Sequence, residues 1–255
     1  GMRTLDSASA LRVLMPGAFA RLGEALASAF AANVPGGRVQ FHDFIPSGEL
    51  AQAILSGEPA DVFVSANLRY MAEVWAAGKA VNPHLLAGNR LCIIVRRDLD
   101  PPLATVEDLV RPRLRVVLPQ PHTDPCGQYV TEMLDQAGLA SAMRDKESRG
   151  ELMYSRGSRD LPDFLRENRA DAGVLYVSEA QALDESVVRF DLTPELDGHE
   201  RIVFVIAPIL QHGAIHSQAE SFVAFMTEGP GRAMLRQAGF LDPPQLSSRQ
   251  LPWEQ

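Results

Sequence analysis

The chain has 255 residues, enough for one large hydrophobic core or two modest ones. Hydrophobic residues make up 46% and charged residues 22%, an ordinary balance for a globular protein. Twenty-four basic residues against 32 acidic ones leave a formal charge of -8 with no basic stripe, which argues against a nucleic-acid partner. No run of 18 apolar residues is present, so no membrane-spanning helix is expected.

Gly1 before Met2 reads as a tag remnant, and residues 2 to 10 have no apolar segment of a secretory signal. The expected location is the periplasm if an upstream signal was removed, and the cytoplasm if Met2 is the native start. Leu11 to Met15 predicts a first strand, closed by Pro16-Gly17. Leu22, Leu26, Ala29 and Phe30 then fall on one face of a helix. Pro35-Gly36-Gly37 turns the chain into a strand over Val39 to Phe44. Pro46-Ser47-Gly48 breaks that strand, and Leu50, Ala51, Ile54 and Leu55 recur at helical spacing. Ser47 is therefore expected as the cap of a helix that follows a strand, a place suited to receiving an anion. Asp61 to Val64 predicts a buried parallel strand, followed by a helix carrying Met71, Val74 and Trp75 and closed by Gly78.

Leu91 to Arg97 is a strongly apolar strand in which Cys92 reads as a small buried hydrophobe. Pro101-Pro102 makes a rigid connector, and Thr105 with Asp108 resembles a capping box. Arg115 to Leu118 predicts a strand. Asp124-Pro125 starts a helix well, with Val130, Met133, Leu134 and Ala137 inward and Gly138 closing it. Further strands are expected over Glu151 to Tyr154, Ala172 to Tyr176, Val187 to Phe190 and Ile202 to Ala207. Helices are expected over Leu161 to Asn168, Ala219 to Met226 and Gly231 to Ala238, and the tail from Pro243 reads as a loosely held strap. Alternating helices and apolar strands give an α/β class with parallel-rich sheets flanked by helices. Two such blocks, joined near Asn89 and His199 to Arg201, predict lobe 1 from 11–89 plus 202–241, lobe 2 from 90–201, and a tail at 242–255, with a ligand cleft between the lobes.

The segments LRVLMPGAF, IPSGELAQAILSGEPADVFVSANLRYM, LLAGNRLCIIV, PQPHTDPCGQYVTEML, ENRADAGVLYVSEA and FVAFMTEGPGRAMLRQAGF occur in this order from residue 11 to 241. Together they resemble the molybdate-binding solute receptors of ABC importers, which are type II periplasmic binding proteins. The resemblance implies a two-lobed fold that binds a small oxyanion, molybdate or tungstate first, through hydroxyls and backbone N–H groups. It also implies an ABC transporter permease as partner, a monomer, and no cofactor. The family's ligand contacts fall on Ala18, Ser47, Cys126, Ser158 and Tyr176. Ala18 stands where the family has a serine and can offer only its amide. Ser158 is placed by counting back from Gly173. Sulfate, a larger anion or a small organic acid stay open as ligands, and so does a ligand sensor inside the cell.

His42 with Asp43 and His122 with Asp124 could hold a metal if they met, but no spacing enforces it, and no metal is expected. Arg156 and Arg159 read as solvated surface. The sequence carries no GxSxG elbow, no GxGxxG and no phosphate loop ending in GK[ST], so an enzyme is not expected.

Overall fold

The computed structural model describes residues 3–5 and 9–255. The tag-remnant reading falls on Gly1 and Met2, outside the described residues. The chain divides into two compact units: residues 1–88 with 200–255, and residues 89–199. In the first unit the elements run β1 (Arg3–Leu5), β2 (Leu11–Leu14), α1 (Gly23–Asn33), β3 (Val39–Phe41), α2 (Ser47–Leu55), β4 (Val62–Ser65), α3 (Leu68–Ala76) and β5 (His84–Gly88). The second holds β6 (Leu91–Arg96), β7 (Val116–Pro119), α4 (Pro125–Gln136), α5 (Ala140–Ser148), β8 (Leu152–Ser155), α6 (Leu161–Arg166), β9 (Ala172–Tyr176), α7 (Val177–Ala180) and β10 (Val187–Asp191). The chain then returns to the first unit with β11 (Val203–Pro208), β12 (Ala214–His216), α8 (Ala219–Thr227) and α9 (Pro230–Gln237).

Each unit is built on a five-stranded sheet, ordered β3-β2-β4-β11-β5 in the first and β8-β7-β9-β6-β10 in the second. The patterns match. A first strand, β2 or β7, lies between two parallel partners reached by crossovers on opposite sides. The next position is an antiparallel strand, β11 or β6, adjoining a chain crossing between the units. Helix crossovers explain the parallel part, since strands of one direction need a long return. The sheets are therefore mixed, and the expectation of parallel-rich sheets holds for only part of each.

The repetition reaches single residues. Asp61 precedes β4, its N–H bonding Arg12 O at 2.8 Å and its Oδ2 accepting Arg12 N–H at 2.8 Å. Asp171 precedes β9 and makes the same pair with Arg115, both at 2.8 Å. Each aspartate fixes the register between the first and third strands. Arg12 Nε also reaches Asp61, at 3.4 Å, and Asp171 goes further, because two guanidinium groups, those of Arg115 and Arg96, reach it at 2.9 and 2.7 Å.

Apolar packing follows the patterning. Leu14, Leu50, Ile54, Phe63, Met71 and Val205 form a core of the first unit, and Cys92, Ile94, Val117, Leu161 and Leu175 one of the second. Burying each large side chain stabilises by roughly 1.5–3 kcal/mol. Phe19 stacks on Phe240 and meets Phe204 edge-on, tying the first turn to β11 and the end of α9. Both cysteines are free thiols and buried.

The structure corrects several local readings. β5, β12, α5 and the short β1 carry no strong period of their own and are set by their neighbours. The Val39 strand ends at Phe41, three residues early. Of the residues named for α3, Met71 and Val74 are buried and Trp75 is 37% exposed. The tail is held: Leu251 is buried, while Leu246 and Trp253 pack on the first unit's core. Thr105 and Asp108 do form a capping box, over a short 3-10 turn at Val106–Val110.

Candidate functional site

In an open α/β sheet, ligands are received at the carboxyl ends of the strands, where the order reverses. In the first unit that point lies between β2 and β4. β2 ends at Leu14, and Pro16 then turns the chain into a 3-10 turn at Gly17–Leu22. Ala18 lies in its first residues, buried at 4% exposure. The opening N–H groups of a helical turn have no partner within it. Ala18 thus has a backbone donor to offer and no hydroxyl.

Ser47 is the first residue of α2, and the cap position belongs to Pro46, so the expectation of a serine cap is corrected. Its Oγ accepts the N–H of Ala66 at 3.0 Å, with both residues buried. The hydroxyl therefore ties the start of α2 to the end of β4. Its own proton is free to rotate toward another acceptor. Around it, Ser65 Oγ donates to Asn67 O at 2.7 Å, and Asn67 Oδ1 caps α3 by accepting Tyr70 N–H at 3.0 Å. These strand-end residues form part of the turn's frame, and the sequence reading passed over them. Their signal was the SAN triplet, a strand end running into an asparagine cap.

The corresponding turns of the second unit are held by polar side chains. After β7, Gln120 Nε2 donates to Thr123 Oγ1 at 2.7 Å and to Arg156 O at 2.8 Å, linking this turn to the one after β8. Gly127 lets α4 approach: a Cβ there would stand 2.3 Å from Gln120 O and 2.5 Å from Pro119 O. Asp124 caps α4 as its sequence promised, its Oδ1 accepting Cys126 N–H at 3.4 Å. Its Oδ2 does something the sequence did not signal, accepting Ser158 N–H at 3.0 Å across 34 residues of chain. Ser158 Oγ donates in turn to Glu179 at 2.5 Å.

Cys126, Ser158 and Tyr176 are thus brought together around Asp124 and Glu179, each of the three at most 3% exposed. Tyr176 ends β9 with its hydroxyl buried, and Cys126, Tyr129, Asp124 and Glu179 act on it electrostatically. Burial first, then the acidic neighbours, push the Tyr176 hydroxyl and the Cys126 thiol well above their usual ranges, keeping both protonated as donors. Burial, with Glu179 adding to it, raises the Asp124 carboxyl to about 8. The N–H groups of Ser158 and Cys126 oppose this shift without overcoming it. Buried hydroxyls, amides and a helix N-terminus can bind an anion without ion pairing.

His122, Arg156 and Arg159 are exposed, and His42 Nδ1 lies 3.0 Å from Asp43 O. Among the described residues no group of three or more His, Cys, Asp or Glu is placed to hold a metal.

Residues 11–241 match the family model of the bacterial extracellular solute-binding proteins. This chain belongs to that family. The solute-binding chain is 34% identical over 229 residues to the molybdate-binding protein ModA of Mycobacterium tuberculosis, covering 89% of this sequence and 80% of that one. Among solved structures, the periplasmic molybdate-binding protein of Azotobacter vinelandii aligns with a TM-score of 0.78 at 21% identity, covering 91% of this chain and 99% of that one. The sulfate-binding protein SubI of M. tuberculosis aligns with a TM-score of 0.72 at 19% identity, covering 91% and 86%. These likenesses establish the α/β periplasmic-binding-protein fold for this solute-binding chain. Among the described residues no helix is long and apolar enough to cross a membrane.

Proposed function

We propose that this solute-binding protein is the receptor of an ABC importer for a small tetrahedral oxyanion, molybdate or tungstate first, binding it without chemical conversion. The donors are the amide of Ala18, the hydroxyl of Ser47, the amides of Cys126 and Ser158, and the hydroxyl of Tyr176. The observation that carries the reading is the pair of amides from Cys126 and Ser158, both already directed at the oxygens of a buried carboxylate. Two N–H groups converging on a carboxylate are equally suited to the oxygens of a molybdate. The relationship to a molybdate-binding protein across 89% of the chain supports the same ligand. The protein works as a monomer with a transporter permease as its partner, in the periplasm.

Ala18 favours a second ligand class. With one hydroxyl fewer than the family pattern, the first unit offers fewer side-chain donors, which leaves a larger anion or a small organic acid open as the ligand. Isothermal titration with molybdate, tungstate, sulfate and phosphate separates the readings. Saturable heat with molybdate or tungstate is expected. Silence with all four at millimolar concentration would overturn the oxyanion reading and favour an organic ligand.

A further inference from the structure

The two acidic side chains at the second unit's turns are unexpected in an anion receptor. A carboxylate repels an incoming anion, and more strongly where water is excluded. Yet Asp124 is 5% exposed, and its oxygens take the N–H groups of Cys126 and Ser158 at 3.4 and 3.0 Å. An oxyanion can draw on those amides only when Asp124 releases them. A carboxylate that lost both donors while charged and buried would bear an uncompensated desolvation cost. The neutral acid bears far less, and its O–H can be donated to an oxygen of the ligand.

We propose that Asp124 is a specificity-determining residue that couples oxyanion binding to proton uptake. The anion displaces Asp124 from the amides of Cys126 and Ser158. Wherever Asp124 is ionised in the free protein, one proton passes from solvent to its carboxylate as the anion binds. No other bond is made or broken. The inference rests on the reading that these two amides serve the ligand.

The groups acting on Asp124 are Glu179 of α7, Asp160 from the turn ahead of α6, Cys126 of its own helix and Ser158 after β8; Tyr176 of β9 is coupled to it as well. Glu179 and Asp160 favour the acid form, while the amides of Ser158 and Cys126 favour the ionised form. The balance, with burial as its largest part, puts the carboxyl at about 8. Near neutral pH the acid therefore prevails and little proton is taken up. Above about pH 8 the uptake approaches one proton per anion, and affinity falls about tenfold per pH unit.

The test is titration of the full chain with sodium molybdate from about pH 6 to about pH 9.5, in buffers of different ionisation heat. A flat affinity at the acid end, a decline above about pH 8 and buffer-dependent heats approaching one proton are expected. Asp124→Asn should abolish the decline and bind about tenfold more tightly than the parent at about pH 9. Glu179→Gln, which relieves the repulsion on Asp124, should move the onset of the decline to lower pH. Affinity flat across the range with no proton uptake would overturn the inference while leaving the receptor reading intact. Preferential binding of hydrogen phosphate without uptake would also overturn it, because the ligand would then bring the proton. Silence with molybdate, tungstate, sulfate and phosphate at every pH overturns the receptor reading and the inference with it. Carboxyl carbon-13 resonances of the ligand-free protein, assigned by comparison with Asp124→Asn, give a readout that needs no anion. The same resonances recorded with molybdate bound at about pH 9 should show a protonated Asp124, and a carboxylate still ionised in that complex would overturn the inference.

Discussion

Ser47 Oγ accepts the backbone N–H of Ala66 at 3.0 Å, joining the first residue of α2 to the end of β4 inside a buried site. The bond makes the serine a brace between two turns. Its free proton leaves it able to donate to a ligand at the same time.

Ser47→Ala is expected to leave the Ala66 N–H short of that acceptor and to lower stability by about 1–3 kcal/mol, the usual cost of a buried group losing its partner. Ser47→Gly should recover none of this, since glycine replaces a serine cap well but cannot brace Ala66. Both variants should also lose about 1.5–3 kcal/mol of oxyanion affinity. Denaturant melts without ligand and calorimetric titrations with molybdate read the two losses separately. A Ser47→Gly protein as stable as the parent would return the serine to the role of a cap.

Ala18→Ser should restore a hydroxyl at the turn after β2. One added hydrogen bond to a charged ligand is worth about 1.5–3 kcal/mol, so molybdate should bind roughly one to two decades more tightly. An unchanged dissociation constant would mean that this turn does not face the ligand as the family's does.

Gly127 packs against the carbonyls of Pro119 and Gln120, and backbone has little freedom to move away. Gly127→Ala should therefore destabilise the second unit by about 1–3 kcal/mol or more, and pull the Cys126 amide off Asp124. Thermal melts together with hydrogen exchange at Cys126 would show both effects. A variant with the parent's melting temperature would contradict this packing.

Acid stability should depend on Asp171. Burial pushes its carboxyl up, but hydrogen bonds from Arg115 and Arg96 more than offset this and hold it at about 2. The folded value is below the unfolded one, so the stabilisation is present above about pH 4 and is lost as pH falls toward about 2. Its size is about 2 kcal/mol. Melts of the parent and Asp171→Asn should diverge above about pH 4 and converge near pH 2. Parallel curves over that range would remove Asp171 from the acid limb.

The α/β class was legible in the chain because its signals are local. Apolar runs such as LCIIV, helical spacing at Leu50, Ala51 and Ile54, and caps at Thr105 and Asp124 each act within a few residues. The resemblance likewise named the turns of Ala18, Ser47, Cys126, Ser158 and Tyr176. Tertiary structure decided what those turns do. Ala66 is 19 residues from Ser47, and Ser158 is 34 from Asp124, separations at which no periodicity in sequence carries information. Ser158 meets Asp124 because the crossover after β7 lays β8 beside it, and Ser47 meets Ala66 because crossovers on opposite sides of β2 bring the turns after β3 and β4 to the same end of the sheet. The same distance explains the misreading of Ser47. A Pro-Ser-Gly turn before an apolar helix face looks like a cap locally, whereas the hydroxyl's strongest acceptor role lay on another strand. Weakly patterned β5 and β12 were missed for the related reason that pairing with β11 and β1, rather than their own composition, makes them strands.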